Sequence, residues 1–317
     1  MIKQRLIVAG LIHQDPVIHQ QILKQHPQIA RLFKKYQAEP QAVMSSEQLL
    51  GTFFGMTADT AALSSASICH FAEFKQATDH YWFHFDPVHL KADRDQLLIF
   101  DGAYLNIQIA EAQQLIDECC AFYADLNWKI QFKTAHRWYL GLSQAAKINT
   151  TTIQMVTGKS IGDFLPTGED SAAWRNILNE IQMLFFQSTI NQQRQPMING
   201  VWISAGGQLP KITGEISQIW SSSLNLFVEG IAALVNTTVI TDLSQLEFKS
   251  NQPIILSYQE IEQAALTGEH QAWLDAIAGF EQWLKKYQSL IQPFDLYPLN
   301  GYYYRPKKTL WQKIFRG

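Results

Sequence analysis

The sequence predicts an α/β protein: a sheet flanked by helices, with an α+β insertion domain. Three stretches carry that prediction. RLIVAGLI, Arg5 to Ile12, is a short apolar run suited to a central strand, and it gives way to a polar loop and a helical pattern. NQPIILSY, Asn251 to Tyr258, repeats the arrangement late in the chain, again with helix behind it. Between them, the segment from Tyr81 to Ile107 alternates apolar and polar residues as strands do. A strand-rich middle enclosed by strand-to-helix units predicts a discontinuous α/β platform, residues 1–78 and 196–317, interrupted by an insertion over 79–195.

The elements follow in order. After the first strand, Asp15 is placed to cap a helix from about Ile18 to Tyr36, which Pro27 would kink or split. SSEQLLGTFFGM reads as a second helix, capped by Ser45 or Ser46. IAEAQQLIDECCAFYADL is an amphipathic helix with Cys119 and Cys120 among apolar neighbours, and WKIQF and HRWYLGL are strands behind it. TTIQMVTGKSIGDFLPTGED reads as loops, and its Gly158-Lys159-Ser160 lacks the earlier glycine of a phosphate-binding loop. A helix then starts near Asp170 or Ser171, with Trp174, Ile177, Leu178, Ile181, Met183, Leu184 and Phe185 at near-helical spacing on a side that packs inward. INGVWIS follows as a buried strand, and Gly206-Gly207 as a tight turn whose backbone N–H groups can approach a ligand. LNLFVEGIAALV reads as a strand passing into a helix, and a long later helix carries Trp273, Ile277, Phe280 and Leu284 on one face.

Composition bounds the function. The 317 residues, 47% hydrophobic and 17% charged, suffice for a real core. A net charge of −3 gives no basic field, which disfavours nucleic acid as a partner. The basic, aromatic tail from Tyr302 to Arg316 is the one local exception, and it reads either as an oligonucleotide contact or as a segment docked on its own domain. The longest apolar run, SLNLFVEGIAALV, is too short for a bilayer, so no membrane is expected. Three cysteines without CxxC spacing fit a reducing cytoplasm.

Candidate ligand-binding residues cluster in the middle of the chain. Asp86, His89, Asp93, Arg94 and Asp95 form either a ligand-facing group or a hairpin with a polar turn at ADRD. Arg137 presents a guanidinium to a carboxylate or phosphate, or makes a structural salt bridge. Asn191 and Arg194, with Trp202, Gly206 and Gly207, either hold an anion or tie a helix end to the sheet.

Four motifs occur in sequence: DPVHL-x-AD-x-D, LP-x-G-x-D-x3-W, NE-x-QM and N-x2-R-x3-ING-x-W. Together they resemble the RpfE-type regulatory proteins of bacteria, across nearly the whole chain. More distantly, NQQRQPMINGVWISAGGQLP resembles a segment of the archaeal-type cofactor-independent phosphoglycerate mutases of the alkaline-phosphatase superfamily. That resemblance implies an alkaline-phosphatase/phosphoglycerate-mutase-like sheet, and it places Asn191, Arg194, Trp202, Gly206 and Gly207 on the substrate side. The mutases' metal-binding pattern after the late strand is absent: YQEIEQAALTGEH puts Tyr258 near the metal Asp and no His in register. Asp15 stands where those enzymes carry a first metal Asp, against its reading as a cap.

The expectation is a mutase-like protein without the two-metal set and without a cofactor. It would bind an anionic, phosphorylated small molecule or a protein partner in a regulatory role. The alternative is an active Mn- or Mg-dependent mutase or phosphatase with a rearranged site.

Overall fold

Strand β1 (Gln4–Ile7) ends in a loop from which Asp15 caps helix α1 (Pro16–Gln25), its Oδ1 accepting the Val17 N–H at 2.8 Å. Pro27 has no N–H with which to continue that helix and instead opens a new one, α2 (Pro27–Lys35). After β2 (Tyr36–Pro40), Ser45 and Gln48 form a reciprocal capping box at the start of α3 (Ser46–Phe53). Next come α4 (Ser65–Phe74), the long β3 (Tyr81–Asp93), β4 (Gln96–Asp101), α5 (Ile109–Phe122), β5 (Lys129–Thr134) and β6 (Arg137–Leu142). They are followed by α6 (Ile153–Val156), α7 (Ser171–Gln187), α8 (Thr189–Gln192) and β7 (Gly200–Gly207). The last elements are β8 (Gln218–Ser221), α9 (Leu226–Leu234), β9 (Val239–Ile240), β10 (Ile254–Ser257), α10 (Glu260–Thr267), α11 (His270–Ile291), β11 (Phe294–Tyr297) and β12 (Tyr302–Pro306).

The structure, a computed structural model, describes residues 4–57, 64–212, 216, 218–247, 253–291 and 293–307. Of the basic tail, Tyr302 to Arg305 belong to β12, and the part from Lys308 onward lies outside the described residues. No helix among the described residues is long and apolar enough to cross a membrane.

The chain forms two units, residues 1–61 with 212–317, and residues 62–211. These limits differ from the expected 78/79 and 195/196. Strand β7 is bonded along its length to β3, and α4 packs on both strands, so residues on each side of the expected insertion belong with it.

In the discontinuous unit, the described strands form one sheet in the order β2-β12-β11-β1-β10-β8-β9. Strand β1 is central and parallel to both β10 and β11. Its Leu6 is buried with Leu256 and Leu296 against Trp273, Ile277, Phe280 and Leu284 of α11 and Ile29 and Leu32 of α2. Only Leu6 and Ile7 of β1 itself are apolar, and the run continues past the strand's carboxyl end, where Val8, Ala9 and Leu11 are buried as well. The segment LNLFV is not a strand. Asn225 turns it directly into α9, its Oδ1 accepting the Phe227 and Val228 N–H groups at 2.9 and 3.2 Å.

In the second unit β3 is central. Strand β7 lies along one edge, and along the other lie β6, paired to residues 81–84, and then β4, paired to residues 88–93. One sheet face carries Phe83, Phe85, Leu140, Val201 and Ile203 into a core with Leu115 and Ile116 of α5 and Ile181 and Phe185 of α7. The two-residue periodicity of a strand then puts Trp82, His84, Asp86, Arg137 and Tyr139 on the opposite face, where α4 packs.

Candidate functional site

Asp86 sits where the edge of β3 changes partners. The pair His84 with Tyr139 belongs to β6 and the pair Val88 with Asp101 to β4, which leaves Phe85, Asp86 and Pro87 between them. The Asp86 carboxylate occupies this gap and accepts the Trp138 N–H at 3.4 Å. Burial holds its pKa well above the carboxylate range, and Asp101 adds to the effect; the Trp138 N–H and Arg137 oppose it.

A polar cluster surrounds this gap. Arg137 forms an ion pair with Glu73 of α4, whose side chain is only 5% exposed. His70, also on α4, stacks on Trp82 at 3.8 Å between ring centroids and meets Gln131 at 2.8 Å. Burial pulls the His84 pKa down to about 4, and Arg137 acts in the same direction. The Tyr139 hydroxyl is buried beside Glu73, and burial together with that carboxylate pushes its pKa up. Of the candidates, the structure brings Asp86 and Arg137 together here.

The others are committed elsewhere. His89 bonds the Met197 carbonyl through Nδ1 at 2.9 Å. Asp93 is the last residue of β3, and Arg94, with φ +55°, opens the two-residue turn to β4, so ADRD is an exposed hairpin turn. Asn191, 4% exposed, donates to the carbonyls of Phe185 and Ile198, each at 2.7 Å, and accepts the Ile198 N–H at 2.8 Å. It closes the end of α7 onto the segment leading into β7, the structural alternative for this residue. Arg194 is paired with Glu111 of α5. Trp202 is buried, its indole N–H donating to the Thr151 carbonyl at 2.7 Å.

Gly206 and Gly207 correct the expected glycine turn, because both are buried residues of β7. Gly206 is required by packing: a Cβ there would lie 2.0 Å from the Phe83 ring. The positive φ belongs to Ala205, at +51°, where the pairing of β7 with β3 shifts register.

Sequence reasoning missed Glu73 and Glu111, the partners of the two candidate arginines. Glu73 lies near the end of a helix buried on most sides, with nothing local to mark it, and the local signal at Glu111 is that of a capping box with Gln108, not of an ion pair.

At the carboxyl ends of β8 and β10, where open α/β sheets place ligands, the side chains are hydroxyls, an amide and one carboxylate. Gln259 Nε2 bonds Ser221 at 3.1 Å, its N–H bonds Ser222 at 2.9 Å, and its Oε1 accepts from Ser223 at 2.9 Å. Ser222 in turn donates to Glu260 at 2.7 Å. Tyr258, next to them, packs against Phe280 and Trp283 at 5.0 and 5.4 Å. Among the described residues no group of three or more His, Cys, Asp or Glu is arranged to hold a metal ion.

A mixed α/β fold with a helix-flanked sheet is thus established. No protein-family model matches the sequence, and no curated protein does. Among solved structures, the chain is similar to the PH0037 protein from Pyrococcus horikoshii, with a TM-score of 0.53 and 12% identity over 93% of this chain and 81% of that one. At that identity the likeness is one of fold. A cofactor-independent phosphoglycerate mutase from Thermoplasma acidophilum aligns over 93% of this chain and 86% of its own, with a TM-score of 0.43 and 13% identity.

Proposed function

We propose that this chain is a phosphoglycerate-mutase-like protein that lacks the two-metal set and acts by binding. Its partner is a small molecule or a protein, in the regulatory role that the RpfE-type resemblance implies. The observation that carries this reading is the net of Ser221, Ser222, Ser223 and Gln259 at the carboxyl edge of the parallel sheet. Two-metal phosphoryl transfer requires carboxylates and imidazoles around the ions, since the metals stabilise the attacking and leaving oxygens. A net of hydroxyls and an amide with the single carboxylate of Glu260, already bonded to one another, supplies too few such groups for that donor set. Asp15, at the position of a first metal Asp, accepts the Val17 N–H through Oδ1 as a helix cap.

An anionic ligand remains part of the proposal in a specific form. Arg137 and Arg194 each hold a carboxylate, so a phosphorylated ligand at either one exchanges for Glu73 or Glu111. The deciding experiment is hydrolysis of a generic phosphoester with manganese or magnesium, alongside metal analysis of the purified protein. No turnover above buffer is expected. Manganese-dependent hydrolysis that Asp86→Ala abolishes, or about two tightly bound ions per chain, overturns the reading.

A further inference from the structure

The discontinuous unit contains a concave site that none of the candidate ligand-binding residues lines. It is a cleft of about 340 Å³ between the loop after β1 and the junction of α10 with α11. Its volume falls at the lower end of the range for small-molecule sites, about 300–1,000 Å³. Trp273 forms a fixed wall, its indole N–H donating to the Gly10 carbonyl at 3.0 Å. His13 meets that indole edge to face, with ring centroids 5.3 Å apart, and His270 lies tilted beside it at 5.9 Å. Gln14 and Glu269 complete the polar lining.

Two details decide the chemistry. His13 accepts the Asp15 N–H through Nδ1 at 3.0 Å, a bond that only the uncharged ring can accept. The one lining side chain with a fixed charge is Glu269, for no Lys or Arg lines the cleft. An anion entering here would face a carboxylate with no compensating cation. A positive ligand would meet the rings of His13 and His270 and the small accessible part of Trp273, which is 6% exposed, together with that carboxylate.

We propose that this cleft binds a small organic cation, an amine or quaternary ammonium group held against Trp273 between His13 and His270, with Glu269 balancing its charge. The inference goes beyond the binding role proposed above, and it stands or falls separately, because its test involves no phosphoester. The full chain is titrated calorimetrically with choline, agmatine and spermidine, and with inorganic phosphate as the anionic control. Saturable binding of at least one amine is expected, with no binding of phosphate. In Glu269→Gln, where an exposed side chain outside any helix is changed, amine affinity falls tenfold or more. His270→Ala weakens the same binding and serves as the second variant. Absence of binding by all three amines overturns the proposal, as does undiminished affinity in both variants or binding of phosphate in their place.

Discussion

Arg194 holds Glu111 through one amino group that donates to both carboxylate oxygens, at 2.8 and 2.7 Å, across 83 positions of sequence. Its other amino group donates to the Leu105 carbonyl. With side chains 12% and 22% exposed, the pair joins the start of α5 to the segment that leads into β7. Removing one partner leaves a half-buried charge uncompensated, so Arg194→Ala is expected to cost about 2–3 kcal/mol. Urea denaturation measures the cost. The double change Arg194→Ala with Glu111→Ala should cost clearly less than the sum of the two single changes, and simple additivity would refute the pairing.

Asn191 substitutes for backbone at the end of α7. Asn191→Ala strands the buried Ile198 carbonyl and N–H and leaves the Phe185 carbonyl with the Ser188 N–H alone, with an expected loss of about 2–4 kcal/mol. Asn191→Asp should be no milder, since a carboxylate cannot donate to the Phe185 and Ile198 carbonyls. A denaturation midpoint within error of the parent for either variant would contradict this account.

Gly206→Ala drives a methyl group into the Phe83 ring. The expected cost is about 1–3 kcal/mol or more, the usual penalty of overpacking a core. Adding Phe83→Leu should recover part of it, and thermal unfolding of the three variants tests the recovery. Had the glycines formed a turn presenting amides to a ligand, the added methyl group would leave stability near the parent value.

Asp86 and His84 give opposite pH dependences. The folded pKa of Asp86 lies well above its ordinary 3.8, so its contribution to stability is fully present below that value and is lost as pH rises through the folded pKa. His84 drops from 6.5 to about 4 on folding, so its contribution is present above 6.5 and is lost as pH falls towards 4. Asp86→Asn is therefore expected to be more stable than the parent at pH 7.5, with the gap closing near pH 4. Denaturation across that range would refute the assignment if the gap stayed constant.

What the sequence revealed was local. Asp15, Pro27 and the Ser45–Gln48 box act within a few residues of themselves, and the structure uses each as its chemistry requires. The alternation along β3, β5 and β6 was legible for the same reason. What escaped was long-range: Glu73 reaches Arg137 across 64 positions, and the cleft joins His13 to Trp273 across some 260 residues, so periodicity carries no trace of either. The ADRD segment illustrates the difference. Its density of charge suggested a site, whereas a two-residue hairpin with Arg94 at positive φ is a sufficient reason for polar residues there. Gly206 misled because glycine serves two purposes, and only the ring of Phe83 shows which one applies.

The position of β1 also sets an order of events during synthesis. Residues 4–7 leave the ribosome well before both of their sheet neighbours, Ile254–Ser257 and Phe294–Tyr297, are translated. Residues 62–211 are continuous and emerge complete in the interval. At about 5–20 residues per second, the opening strand waits on the order of tens of seconds for its partners while the intervening unit has time to fold. The apolar stretch from Leu6 to Leu11, left uncovered for that long, is a natural client for a ribosome-associated chaperone.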